Sequence, residues 1–81
     1  MIFIWGEPKR LANLAKHGMD FAELDMEFFA SALVRPAKLG RFQAIGRQAG
    51  GTIVVIFAVV GTEAVSVISM RPASAAERRL L

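Results

Sequence analysis

The chain has 81 residues, of which 54% are hydrophobic and 21% are charged; its net charge is +3 and it has no cysteine. This length predicts one domain over residues 1–81, and the lack of cysteine excludes disulfides and thiolate metal sites. The longest apolar run, residues 53–60, is shorter than the stretch of about 20 residues that spans a bilayer, and no signal peptide is recognised, so we expect a cytoplasmic protein without membrane contacts.

The predicted N-terminal part is a strand followed by two helices. Met1–Trp5 is apolar, β-branched or aromatic, which is typical of a strand. A helix is predicted over residues 8–16, with Pro at its first position and Gly18 as a left-handed cap. A second helix is predicted over residues 20–31, because an aspartate begins it and a glutamate follows three residues later. The apolar faces of both helices, including Leu11 and Leu14, are expected to be buried.

The rest of the chain is predicted to form strands, with a two-residue alternation typical of sheets. The predicted strands are Leu33–Arg35, Arg41–Arg47, Thr52–Val60 and Glu63–Met70. The third of these is continuously apolar, which indicates a central strand covered on both faces. Ser74 and Glu77 have the spacing of a capping box and predict a short last helix.

These elements predict a two-layer α+β fold. The N-terminal strand and two helices pack on a mainly antiparallel sheet of about four strands, and a short C-terminal helix closes the chain. The face of the sheet away from the helices is expected to stay partly open.

The excess positive charge lies in the second half of the chain. Residues 1–40 have equal numbers of acidic and basic side chains, whereas residues 41–81 hold five arginines against two glutamates. Arginine presents a planar fork that holds a phosphate group through two hydrogen bonds. The pattern suits contact with nucleic acid, although from composition alone a solvated basic face is the more ordinary interpretation.

Three arginines lie at predicted positions that suit phosphate contact. Arg41 and Arg47 share one face of a predicted strand, and Arg71 ends a later strand beside a helix start, where backbone N–H groups and the helix dipole favour anions. If the central strand lies between or beside them, the three guanidinium groups converge. The alternative is that they extend into water.

His17 is the only histidine. An imidazole can transfer a proton near neutral pH, although a histidine at a helix end can also interact with the last carbonyls and the helix dipole. With a single histidine and no cysteine, only carboxylates are left as metal ligands, so we expect no metal. No glycine-rich nucleotide-binding motif is present, and no cofactor is expected.

Three blocks of sequence, in order along nearly the whole chain, point to one known family. They are Trp5–Phe21 with Lys16-His17-Gly18, Phe42–Gly46 preceded by Arg41, and Ile68–Ala73 followed by Glu77 and Arg78. Together these blocks resemble the BrnT family of type II toxin–antitoxin toxins.

The resemblance implies a fold similar to the RelE-like ribonuclease toxins and a metal-independent endoribonuclease that arrests translation. It implies a small antitoxin partner, similar to BrnA, with a ribbon-helix-helix element. Operator DNA is then contacted only through that antitoxin, within a hetero-oligomer.

The expected reaction is attack of an RNA 2′-hydroxyl on the neighbouring phosphate. His17 or Glu77 would transfer protons, and Arg41 and Arg71 would stabilise the charge that develops on the phosphate. The candidate catalytic residues are His17, Arg41, Arg71 and Glu77, and the candidate RNA-binding residues are Lys16, Arg47 and Arg78.

The chain departs from the family pattern at three positions. Gly6 stands where the family usually has aspartate, Gly40 where an acidic residue often precedes the arginine, and Ser66 where an arginine is common. Two alternatives therefore stay open. One is a weak or inactive homologue that binds its antitoxin and acts as a co-repressor, and the other is a non-catalytic nucleic-acid-binding module.

Overall fold

The computed structural model describes residues 1–81 as five strands and three α-helices joined by short connections. The elements are β1 (Ile2–Ile4), α1 (Glu7–His17), α2 (Met26–Ser31), β2 (Leu33–Pro36), β3 (Phe42–Gln48), β4 (Gly51–Val60), β5 (Ala64–Pro72) and α3 (Ala75–Arg78). The predicted α+β class is confirmed. No helix is long and apolar enough to cross a membrane.

The sheet has one strand more than predicted and is mixed. Its order is β1-β5-β4-β3-β2. Strands β2 to β5 pair antiparallel, as expected for strands joined by short turns. β1 pairs parallel with β5. This pairing is possible because the two strands are connected through the helices and the other strands and not by a tight turn. The N-terminal strand therefore joins the sheet at its edge.

The predicted second helix is broken into two pieces. A 3-10 turn covers Phe21–Glu23, and α2 begins only at Met26. Asp20 accepts a hydrogen bond from the Ala22 backbone N at 3.0 Å, and Asp25 accepts one from the Phe28 backbone N at 2.9 Å. Because each aspartate caps its own helix start, one continuous helix is not formed.

The main core lies between the helices and one face of the sheet. Its buried members include Phe21, Phe28, Val55, Val67 and Met70. α2 approaches β3 so closely that a Cβ on Gly46 would lie 2.9 Å from the Phe28 ring. A glycine in the middle of this strand therefore permits the contact between helix and sheet.

The central strand β4 is covered on both faces only along its first half. Val54 packs against Ile45 and Ala73 on the face away from the helices, which we call the open face. α3 begins beside Ala73 and covers this part of the open face, whereas at the far end of β4 Val59 and Val60, which lie on opposite faces, are both exposed. The prediction that β4 is covered on both faces is therefore confirmed only for its first half.

Helix α1 does not bury the leucines expected of it. Leu11 and Leu14 are 54% and 37% exposed, and the buried residue of this helix is Asn13. Arg10, Asn13 and His17 form the inward stripe at helical spacing. Because that stripe is polar, α1 packs by hydrogen bonds along the edge of β5.

Candidate active site

The edge of β5 is shared between a strand and a helix. β1 pairs with β5 only along Ala64–Ser66, and α1 lies beside the remainder. The Asn13 side chain accepts a hydrogen bond from the Met70 backbone N at 3.0 Å and donates one to the Met19 carbonyl at 3.1 Å. Asn13 thus satisfies a backbone group that a strand partner would otherwise satisfy, and fixes the end of α1 against the residue before Arg71.

Asn13 lies in the Trp5–Phe21 block that resembles the family, but it is not among the predicted site residues. It is the only asparagine in the chain, and it stands in the interior of a helix, where asparagine has no intrinsic preference. An asparagine in the interior of a predicted helix is therefore the sequence feature that could have indicated its structural role.

A β-bulge in β5 turns Arg71 to the open face. Ile56 pairs with Ser69 while Phe57 pairs with Val67, so that Ile68 has no partner. Val67 and Met70 are both buried in the core, although strict alternation would place Val67 and Arg71 on the same face. The extra residue therefore reverses the alternation and points Arg71 out of the core.

Arg71 is held by Glu77 through two hydrogen bonds. Its Nη1 donates to Oε1 at 2.7 Å, and its Nη2 donates to Oε2 at 2.8 Å. The Ser74 backbone N also donates to Oε1 at 2.8 Å, and the Ser74 hydroxyl accepts from the Glu77 backbone N at 3.1 Å. The predicted capping box is thus confirmed, and the same carboxylate anchors the arginine.

These contacts fix the ionisation of Glu77. Its hydrogen bond with Arg71, and then that from the Ser74 backbone N, lower the pKa of the carboxyl from 4.5 to about 2. The same hydrogen bond with Glu77 raises the pKa of Arg71. At neutral pH the carboxylate is therefore fully charged and has little capacity to accept a proton.

Arg71 keeps two adjacent N–H donors free. A guanidinium group has five N–H donors. Two of them bind Glu77, and a third, on Nη1, donates to the Pro72 carbonyl at 3.3 Å. The remaining pair, on Nε and Nη2, forms the second fork of the group, which is the geometry that holds a phosphate.

Arg71 lines an open groove of about 380 Å³ together with the end of α1. The basic groups around it are Lys9, Lys16 and His17, and no carboxylate lines it. α1 ends here because Gly18 adopts a left-handed conformation (φ 68°) and its N–H binds the Leu14 carbonyl at 2.8 Å. We call this depression the His17–Arg71 groove.

The other predicted arginines border the open face but do not converge on this groove. Arg41 lines a separate depression with Arg35 and Lys38, near β2. Val54 pairs with both Ile45 and Arg71, so that Ile45 and Arg71 lie two strands apart at the same level of the sheet. Arg41 is four residues before Ile45, which places the Cα atoms of Arg41 and Arg71 roughly 16 Å apart.

Arg47 and Arg78 form a third basic site at the β3–β4 turn, where they line one depression. The Arg78 guanidinium donates to the Ala73 carbonyl at 3.1 Å. The predicted RNA-binding residues are thus divided: Lys16 borders the His17–Arg71 groove, and these two arginines lie elsewhere. No group of three His, Cys, Asp or Glu side chains is placed to hold a metal ion.

Comparison with known proteins decides the family. The profile described as "Ribonuclease toxin, BrnT, of type II toxin-antitoxin system" matches residues 5–77. The chain belongs to the BrnT family. The 1.1 Å crystal structure of the Brucella abortus ribonuclease toxin BrnT is 58% identical, with a TM-score of 0.85, and the match covers 91% of this chain and 99% of that one. A search of curated proteins returned no match.

The BrnT match includes the whole His17–Arg71 groove and its support. Lys16, His17, Arg71 and Glu77 lie inside the matched range, whereas Arg78 lies just beyond it. The resemblance that the three sequence blocks indicated is therefore confirmed at the level of the family.

Replacing Asn13 tests its structural role. In Asn13→Ala the Met70 N–H and the Met19 carbonyl lose their partner, which lowers the free energy of unfolding by about 1–3 kcal/mol. Urea denaturation measures this loss. Leu11→Ala, on the exposed side of the same helix, serves as the control and changes stability by less than about 0.5 kcal/mol. Equal effects of the two substitutions would show that the Asn13 hydrogen bonds do not stabilise the fold.

The pKa of Glu77 predicts acid sensitivity. Because its folded-state pKa is about 2 against an ordinary 4.5, the stability from its ionised form is present above that ordinary value and is lost as pH falls towards 2. The difference in unfolding free energy between the native chain and Glu77→Gln should therefore be constant near neutral pH and shrink on acidification. Urea denaturation over a pH series measures it, with Glu27→Gln as the control. A difference independent of pH would contradict the assignment.

Proposed function

We propose that the protein is a metal-independent endoribonuclease toxin, a single RelE-like domain that acts on cytoplasmic RNA and arrests translation. The observation that carries the proposal is the His17–Arg71 groove. In it a guanidinium group with a free fork and an imidazole border the same open, cationic depression. Phosphate binding and proton transfer are the two functions that cleavage by a 2′-hydroxyl requires.

The reaction begins when the RNA 2′-oxygen loses its proton and attacks the adjacent phosphorus. The bond from phosphorus to the 5′ oxygen of the next nucleotide breaks, and the leaving oxygen takes a proton from solvent. The products are a 2′,3′-cyclic phosphate and a 5′-hydroxyl. The free N–H pair of Arg71 binds the non-bridging oxygens, where negative charge increases in the transition state.

His17 serves as the general base in this scheme. Histidine can accept a proton near neutral pH, and His17 stands at the end of α1 on the border of the groove. Glu77 is the weaker choice, since its pKa is about 2 and both of its oxygens accept hydrogen bonds. We assign Glu77 to the positioning of Arg71 instead.

The remaining basic residues bind the RNA backbone. Lys16 lies beside His17 in the groove and attracts the phosphates that flank the cleaved bond. Arg41 belongs with this group rather than with the catalytic residues, because it lines a different depression from Arg71. With Arg47 and Arg78 at the opposite end of β3, it gives the open face cations on both sides of Arg71.

The partner is a BrnA-like antitoxin with a ribbon-helix-helix element, which carries the complex to operator DNA as a hetero-oligomer. Exposed apolar residues on the open face support a partner. Ile2 and Val60 flank Ala64 across three paired strands, and Ile4 flanks Ser66. Ile2, Ile4 and Val60 are all exposed, and an apolar patch of this kind is typical of a protein interface.

Substitutions in the groove test the enzymatic proposal. His17→Ala should slow RNA cleavage by at least about 100-fold, because the general base is lost. Arg71→Ala should slow it by about 100–1,000-fold, because the transition-state charge loses its donor pair. Lys16→Ala should mainly weaken RNA binding and reduce its dependence on salt. Cleavage is measured with the free protein and with translating ribosomes.

Arg79→Ala is the matched control, since Arg79 is exposed and makes no side-chain hydrogen bond; it should cleave at the native rate. Native rates for both His17→Ala and Arg71→Ala would refute the proposed active site. No cleavage by the native chain, with antitoxin binding retained, would refute the enzymatic proposal and leave the co-repressor alternative.

A further inference from the structure

A second depression lies directly beside the His17–Arg71 groove. It has a volume of about 300 Å³ and lies between the α1–α2 connection, the β3–β4 turn and the end of β5. The two depressions meet at the end of α1 and at Asn13: His17 borders the groove and Gly18 this depression, and Asn13, which lines the groove, hydrogen-bonds Met19 and Met70, which line this depression.

Part of the lining of the depression is apolar. Ile53 and Met70, which are buried, and Met19, which is half-buried, all contribute to it. Methionine sulfur makes favourable contacts with aromatic rings, and proteins that read single-stranded RNA bind unstacked bases between flat or apolar side chains. The cavity lies at the lower end of the range of small-ligand sites, which suits one base rather than a larger group.

Two side chains at the rim keep hydrogen-bond acceptors free. The Gln48 side chain donates its Nε2 to the Glu23 carbonyl at 2.8 Å, which leaves its Oε1 free. The Glu23 carboxylate forms no hydrogen bond or ion pair. Both carboxylate oxygens of Asp20, in contrast, already accept hydrogen bonds, one from the Ala22 backbone N and one from Arg10. A base that contacts Glu23 must therefore present hydrogen-bond donors to its carboxylate.

We propose that this depression binds a guanine base of the RNA substrate, and we call it the guanine pocket. Guanine presents two adjacent donors, N1–H and the N2 amino group, which match the two oxygens of the Glu23 carboxylate. Adenine and cytosine present an amino group next to an acceptor, and uracil presents one N–H between two acceptors, so each would place an acceptor against the carboxylate or leave an oxygen unpaired. The proposal rests on the proposed ribonuclease activity and adds a base preference to it.

The guanine pocket predicts where RNA is cut. The probes are oligouridylates that carry one guanosine, one adenosine or no insertion. The native chain should cleave the bond next to the guanosine at least about tenfold faster than the bond next to the adenosine, as expected for one paired hydrogen-bond contact. Glu23→Gln presents one amide oxygen and an amide donor instead, and its rates at the two bases should fall within about twofold of each other.

Glu27→Gln is the matched control. It removes the same charge from an exposed residue that borders a different depression, and it should keep the guanosine preference. Equal cleavage at guanosine and adenosine by the native chain, or a guanosine preference that survives Glu23→Gln, would overturn the proposal.

Nucleotide binding separates the pocket from the activity. In NMR titrations, GMP should shift the methyl signals of Met19 and Met70 more than AMP or UMP does, and the difference should vanish in Glu23→Gln. Selective GMP binding without RNA cleavage would refute the ribonuclease proposal and leave the pocket standing. Cleavage with neither a guanosine preference nor selective GMP binding would refute the pocket alone.

Discussion

The two hydrogen bonds between Arg71 and Glu77 organise the functional half of the molecule. They join the last helix to the last strand, and Ala73 between them packs on the open face of the sheet. An ion pair with this little exposure contributes modestly to stability, because desolvation offsets the attraction. Its larger effect is directional: with one fork of the guanidinium occupied, the other is held in a fixed orientation, as electrostatic catalysis requires.

The geometry of β5 explains why the groove forms beside this pair. β1 covers only the first part of the strand, and Asn13 from α1 satisfies the Met70 backbone N beyond it. The bulge at Ile68 then turns Arg71 away from the core. The short β1, the buried Asn13 side chain and the unpaired Ile68 together place His17, at the end of α1, in the same groove as Arg71. In this account β5 connects the architecture of the sheet to the chemistry of the site.

Features that depend on neighbouring residues could be predicted from the sequence. The Gly18 cap, the Ser74–Glu77 capping box and the alternation of β3 are encoded within a few positions, and the structure has all of them. Features that depend on distant partners could not. The parallel pairing of β1, the bulge in β5 and the exposure of Leu11 follow from how the edge of the sheet is completed, and two separate aspartate caps broke the helix that one capping box predicted.

The site was predictable to the same extent. His17 is predicted as the only histidine and Arg71 as the arginine at the end of a strand, and both border one groove. The sequence could not show that Arg71 binds both oxygens of Glu77, because this contact depends on how α3 packs against β5. It also could not show that Arg41 lies far from Arg71, because that distance depends on the register of β3, β4 and β5.

A double-mutant cycle of RNA cleavage tests the central claim, that Glu77 acts through Arg71. Rates are measured for the native chain, Arg71→Ala, Glu77→Gln and the double variant, under conditions where all four are folded. If Glu77 only positions the arginine, its substitution slows the native chain but has no further effect once Arg71 is gone. If the two losses multiply in the double variant, Glu77 acts independently on the reaction and the account is contradicted.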